Sequence, residues 1–179
     1  GRHFLNQGRI DDAEFWLQRA AAGSGTIVPL EETYYHLASL ALVQDRDPRP
    51  LLDQGLERVH TAPILLIFKG ILEIETPDPA MHRRGLERLN ALIQRYPDPQ
   101  RQTVIALTAA TVYANLGARF SRHQDYTKAS MAYQKSLTYD PNRIHTLIAL
   151  AKAAIKAGQF APAELAALHA AELNPDDYQ

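Results

Sequence analysis

Apolar residues recur along this chain at three- and four-residue intervals almost from end to end, the spacing of helices that turn one face toward a core. Tyr34, Leu37, Ala38 and Ala41 share one such face, and Leu147, Leu150, Ala151 and Ala154 repeat its intervals. No segment sustains the apolar/polar alternation of a half-buried strand between hairpin turns. The pattern predicts an all-α chain, cut by proline and glycine into about ten helices of roughly 11 to 18 residues, one of them longer. Short connections make consecutive helices antiparallel neighbours.

The punctuation is itself periodic. Pro63, Pro97, Pro141 and Pro175 are separated by 34, 44 and 34 residues, and each stands between two apolar helical segments, as suits a residue that ends one helix and fixes the turn into the next. The turn Tyr139-Asp140-Pro141-Asn142 returns as Leu173-Asn174-Pro175-Asp176. A period of this size marks an array of helical hairpins, none of which can bury its apolar faces alone.

Two copies align residue by residue. Tyr113-x2-Leu116-Gly117-x2-Phe120, Ala129-x3-Tyr133 and Pro141 form the first, and Leu147-x2-Leu150-Ala151-x2-Ala154, Ala163-x3-Ala167 and Pro175 the second. Gly117, Ala129, Ala151 and Ala163 are small where two helices must approach closely, and Tyr113, Phe120 and Tyr133 fill the remaining space. This pattern resembles the tetratricopeptide repeat family over residues 110 to 177. The resemblance implies a single right-handed α-solenoid of antiparallel helix hairpins over residues 1–179, with repeats near 1–25 (truncated), 31–63, 64–97, 98–143 and 144–177.

Outside those two copies the match loosens. Phe4 to Ala13, with Gly8 opposite Gly158 and Ala13 opposite Ala163, reads as the second half of a copy whose first helix is cut short, so the chain is expected to be a piece of a longer protein. Tyr34-x2-Leu37-Ala38-x2-Ala41 fits a first helix, but Leu51 and Gly55 stand where small and large residues belong. Gly85-x3-Leu89 fits a second helix, Ile67 to Ile74 fits a first helix loosely, and Thr76-Pro77-Asp78-Pro79 lengthens the turn between them. The long interval falls between Pro97 and Ala110. Asp98-Pro99 is a good cap and first-turn pair, which predicts a first helix extended by nearly three turns, about 15 Å. Val104, Ile105 and Leu107 would then need another surface to cover them. The alternative is a separate short helix with a kink near Thr108.

Composition narrows the chemistry. Nineteen Lys and Arg stand against twenty Asp and Glu, so no overall field favours a polyanion and nucleic acid is not an expected partner. With no cysteine, disulfides and thiol nucleophiles are excluded, but the compartment stays open, cytoplasmic or periplasmic. The longest uncharged window, Gln102 to Ala118, is too short and too polar for a membrane span. His3, His36, His60, His82, His123, His145 and His169 are scattered without metal-ligand spacing. Gly23-Ser24-Gly25 lacks the lysine of a phosphate-binding loop and suits a helix end. Glu31-Glu32 and Asp11-Asp12 suit first helical turns, and His82-Arg83-Arg84 with Arg88 suits a solvated face. No catalytic residue, metal or cofactor is expected, and the chain reads as non-enzymatic.

The resemblance implies recognition by shape. The first helix of each pair lines a groove that takes a partner's extended peptide or helix, and the matching positions are Tyr35, Ser39, Phe68, Asn115, Ala118, Arg122, His145, Ile148, Lys152 and Lys156. Arg122, Lys152 and Lys156 favour an acidic ligand, unless they serve only as solubilising charges. Ala114 and Ala118 replace the Lys and Asn of the members that clamp chaperone carboxyl termini. The family also suggests a module of a larger assembly, such as bacterial envelope or secretion machinery. Two alternatives stand beside the groove. One is an oligomerisation module that binds through the Ala163–Leu173 face or the Val104–Leu107 extension. The other is a regulatory domain with a small-ligand or peptide pocket near Tyr35 and Phe68.

Overall fold

The computed structural model describes residues 10–23, 30–59 and 62–174, and among them every regular element is a helix. These are α1 (Ile10–Ala22), α2 (Leu30–Val43), α3 (Arg49–Arg58), α4 (Pro63–Ile74), α5 (Pro79–Arg95), α6 (Pro99–Arg122), α7 (Tyr126–Tyr139), α8 (Ile144–Lys156) and α9 (Phe160–Leu173). The fold is all-α, made of helices that pack on their chain neighbours across connections of a few residues. A tenth helix would fall before residue 10, and the turn from Pro175 onward likewise lies outside the described residues. Contacts divide the chain into two compact units, residues 1–105 and 106–179, and the boundary falls inside α6.

In the first unit α2 packs on α1, α3 and α4, while α4 packs on α3 and α5. Tyr34, Leu37, Leu42, Leu52, Leu65 and Ile71 form its buried interior. Gly55 sits where a Cβ would come within 2.9 Å of Tyr34 and closer still to Leu65, so the residue that broke the repeat pattern is itself a close-approach point. An ion pair ties α4 to α5: Arg88 donates through Nε and Nη2 to the two oxygens of Glu73, at 3.0 and 3.1 Å. Arg88 therefore departs from the solvated face that its sequence context suggests. Glu73 needs it, being almost wholly buried in α4. His82, Arg83 and Arg84 are exposed.

In the second unit α8 packs on α7 and α9. Ala129, Tyr133, Leu147, Leu150, Ala151, Ala154 and Ala163, all positions of the repeat pattern, lie in one buried cluster. The end of α6 joins them through Gly117, where an added Cβ would stand 2.6 Å from the Tyr133 ring. Ser136 Oγ donates to the Ala110 carbonyl at 2.7 Å, and Tyr113 stacks on Tyr139 with ring centroids 6.0 Å apart. Ala167 departs from the pattern and is exposed.

The turns repeat more faithfully than the helices. Asp45, Gln124 and Gly158, each two residues past the end of α2, α6 or α8, have φ of 60°, 62° and 74°. The next residue donates back five positions in every case: Arg46 to Ala41, Asp125 to Phe120 and Gln159 to Ala154, at 2.8, 3.0 and 2.8 Å. This left-handed closure satisfies carbonyls that a helix end leaves open. Only the third copy uses the glycine that the conformation prefers.

Helix starts follow their caps. Asp78 accepts from Ala80 N–H at 2.9 Å ahead of Pro79, and Asp98 accepts from Arg101 N–H at 2.9 Å ahead of Pro99. From that cap α6 runs uninterrupted for 24 residues, against 10 to 17 in the other described helices. None of the described helices is long and apolar enough to cross a membrane.

Candidate functional site

In the first unit the structure gathers Tyr35, Ser39 and Phe68 but gives them unequal roles. Tyr35 and Ser39 lie one turn apart on α2, and the Tyr35 ring meets Phe68 edge to face at 5.9 Å. Phe68 is 0% exposed. Its sequence position points to a groove lining, whereas its ring belongs to the core and offers a partner no surface. Ser39 Oγ is buried with no protein partner among the described residues.

One turn N-terminal to these residues lies a cleft of about 410 Å³, lined by Glu31 of α2, Pro63, Ile64 and Ile67 of α4, Tyr96, and Arg101, Val104 and Ile105 of α6. Glu31 is held by the start of α4, where Ile64 N–H donates to its Oε1 at 2.7 Å. That bond has a local cause. The residue before α4 is Ala62, which has no capping side chain, so the acceptor comes from another helix.

Burial raises the Glu31 carboxyl above its ordinary range; the Ile64 hydrogen bond opposes this, Glu32 adds to it, and Leu65 N–H opposes it again. With the folded-state value above the unfolded one, the contribution of this group to stability is full at low pH and is lost as pH rises through the raised value. Arg101 is exposed at the rim, with Nε 3.4 Å from Asp98 and its guanidinium 5.1 Å from the Tyr96 ring centre. Gln102 fastens this turn of α6 by donating to the Ile93 and Tyr96 carbonyls at 3.1 and 2.6 Å. Val104 and Ile105 thus face a hydrophobic wall of their own unit.

In the second unit His145, Ile148, Lys152 and Lys156 fall on one face of α8, and Asn115, Ala118 and Arg122 on one face of α6, by their spacing of three and four. His145, Lys152 and Lys156 are exposed, whereas Ile148 is half-buried against the alanine-rich cluster. Lys156 leans back on α7, with Nζ 4.8 Å from the Tyr126 ring centre. Asn115 is half-buried and Arg122 exposed at the end of α6.

No known family model matches the chain, and no curated protein matches it. Among solved structures the chain is similar to "Crystal structure of MamA", at 17% identity and a TM-score of 0.44 over 98% of this chain and 94% of that one. It is also similar to "MamA 41-end from Desulfovibrio magneticus RS-1", at 18% identity and a TM-score of 0.42 over 99% and 93%. A likeness at these values assigns neither family, partner nor role.

The far end of the second unit carries another surface. Ala163, Ala166 and Ala170 pack α9 on α8, so these three small residues of the Ala163–Leu173 segment are used inside the unit. What α9 leaves open is larger: Phe160, Leu165 and Leu168 are 71%, 69% and 56% exposed. Beside them Leu137, Pro141, Leu147, Leu150 and Leu165 border an apolar groove of about 440 Å³. Leu107 in the second unit is half exposed. Among the described residues no three His, Asp or Glu side chains stand close enough to hold a metal ion.

Sequence reasoning missed Glu31. Its signal was legible in retrospect, because a helix opening on Ala62-Pro63 lacks its own acceptor and the preceding first helix begins with two glutamates. Tyr96 and Arg101 had no comparable signal, since their place depends on how α6 departs from α5.

Proposed function

We propose that this chain is a protein-interaction scaffold and that its second unit receives an acidic segment of a partner along α8. The observation that carries this reading is a basic face left unanswered. His145 and Lys152 are exposed beside half-buried Ile148, and neither has a hydrogen bond or ion pair with any described residue. Lys156 extends the row with the Tyr126 ring and hydroxyl against it. Exposed lysines of this kind accelerate and orient an acidic partner, while a neighbouring apolar residue supplies contact area.

A double substitution, Lys152→Glu with Lys156→Glu, tests the reading without touching the core. Fluorescence anisotropy with a twelve-residue peptide alternating Glu and Leu should show affinity falling roughly tenfold or more, together with a loss of salt dependence. Equal binding by both proteins would reject the acidic-partner reading.

The exposed outer face of α9 favours a second reading, self-association through Phe160, Leu165 and Leu168. A contiguous apolar surface on a helix marks a contact site more often than an idle one. Light scattering over a concentration series should then show a dimer that Leu165→Glu with Leu168→Glu converts to monomer. A wild-type monomer at the highest concentration would exclude it.

A further inference from the structure

The cleft of the first unit differs in chemistry from the basic face of α8. Its walls are aliphatic apart from Tyr96 and Arg101, and its one carboxylate, Glu31, is bound by backbone N–H groups and by no lysine, arginine or histidine among the described residues. Arg101 cannot be counted as that partner. Its guanidinium is already placed between Asp98 and the Tyr96 ring.

Each class of occupant can be judged by what it does to Glu31. A neutral apolar group filling the cleft would remove water from a carboxylate that burial already disfavours, and would leave the charge unanswered. An anion would add repulsion to that loss. A metal ion needs several oxygen or nitrogen ligands, and no cluster of three occurs among the described residues. A cation on an apolar stem satisfies both halves of the site at once, since methylenes cover aliphatic walls while the head meets the acid. The volume, about 410 Å³, lies within the range of about 300–1,000 Å³ usual for binding pockets.

We infer that this cleft binds a basic side chain of a protein partner, a lysine or arginine set between aliphatic residues. Its stem lies along Ile64, Val104 and Ile105, and its charged head meets the Glu31 carboxylate. This site recognises the opposite charge from the α8 face.

The test uses the full chain and a seven-residue peptide with one central lysine flanked by leucines, compared with the same peptide carrying norleucine in place of lysine. Glu31→Gln keeps an oxygen for Ile64 N–H and removes only the charge. Calorimetric titration should show the lysine peptide binding roughly tenfold or more weakly to Glu31→Gln, and the norleucine peptide binding weakly to both proteins. Val104→Lys, at a half-exposed wall position, should abolish lysine-peptide binding by adding a like charge. Lys152→Glu with Lys156→Glu should leave that binding unchanged, which separates this inference from the acidic-partner reading. Equal affinity of wild type and Glu31→Gln for the lysine peptide overturns the proposal. So does n-butylamine binding as tightly as the peptide, since the flanking residues would then contribute nothing.

Discussion

Replacing Arg88 by methionine is expected to destabilise the first unit by about 3–5 kcal/mol, although Arg88 stands in a run of basic residues that looks dispensable. The reason lies on the other helix. The Glu73 side chain is 4% exposed and that of Arg88 25%, and the pair is joined by two parallel bonds of 3.0 and 3.1 Å. Without the guanidinium, α4 must keep a buried carboxylate with no counter-charge, or protonate it, or move it toward water. Each course costs several times what an exposed pair is worth.

The same argument predicts rescue. Glu73→Leu combined with Arg88→Met should recover most of the loss, because an apolar pair of similar volume removes both desolvation costs. Trp16, the one tryptophan of the chain, belongs to α1 in the first unit, so its fluorescence during urea unfolding reports on the unit concerned. A loss below about 1 kcal/mol for Arg88→Met would place the pair among exposed ones and refute the argument.

Why the sequence disclosed one unit better than the other follows from the range of the forces. In the second unit the pattern of Gly117, Ala129, Ala151 and Ala163 records a contact that one residue decides, namely how near two helix backbones can come. Such a constraint leaves a letter at a fixed interval, and those residues are buried where the pattern puts them. In the first unit the same function is carried by Gly85, which keeps the second-helix position of the pattern, and by Gly55 and Gly70, which do not stand at its small-residue positions. The helices could be read from periodicity, but their packing could not.

The site was less legible still. A spacing of three and four assigns a residue to a helix face, and it did so for His145, Ile148 and Lys152. It cannot say how far neighbouring side chains cover that face, which is why Phe68 reads as a lining and turns out to be core. Nor does it reveal reach between helices. Glu31 serves α4 from α2, and Arg88 serves Glu73 from α5. Charged residues in helices resemble solvated ones until the partner helix is placed against them.

Gly85→Ala should cost about 3 kcal/mol, although alanine is the better helix former by about 1 kcal/mol. A Cβ at Gly85 would stand 2.5 Å from the Gly70 carbonyl oxygen and 2.9 Å from the backbone nitrogen of Ile74. Backbone atoms cannot rotate aside, so α4 and α5 must separate, and Arg88, three residues further along α5, would be drawn from Glu73. Gly70→Ala provides the contrast on the facing helix. Its nearest obstacles are Leu89 Cδ2 at 3.0 Å and Leu89 Cγ at 3.2 Å, part of a side chain that can shift, so the gain in helix propensity offsets most of the crowding and the variant should stay within about 1 kcal/mol of wild type. Urea unfolding followed by Trp16 fluorescence measures both. Equal losses would mean that helix spacing is not set by the Gly70–Gly85 approach. If it is so set, Gly85→Ala and Arg88→Met should be less than additive when combined, because the first change already weakens the bond that the second removes.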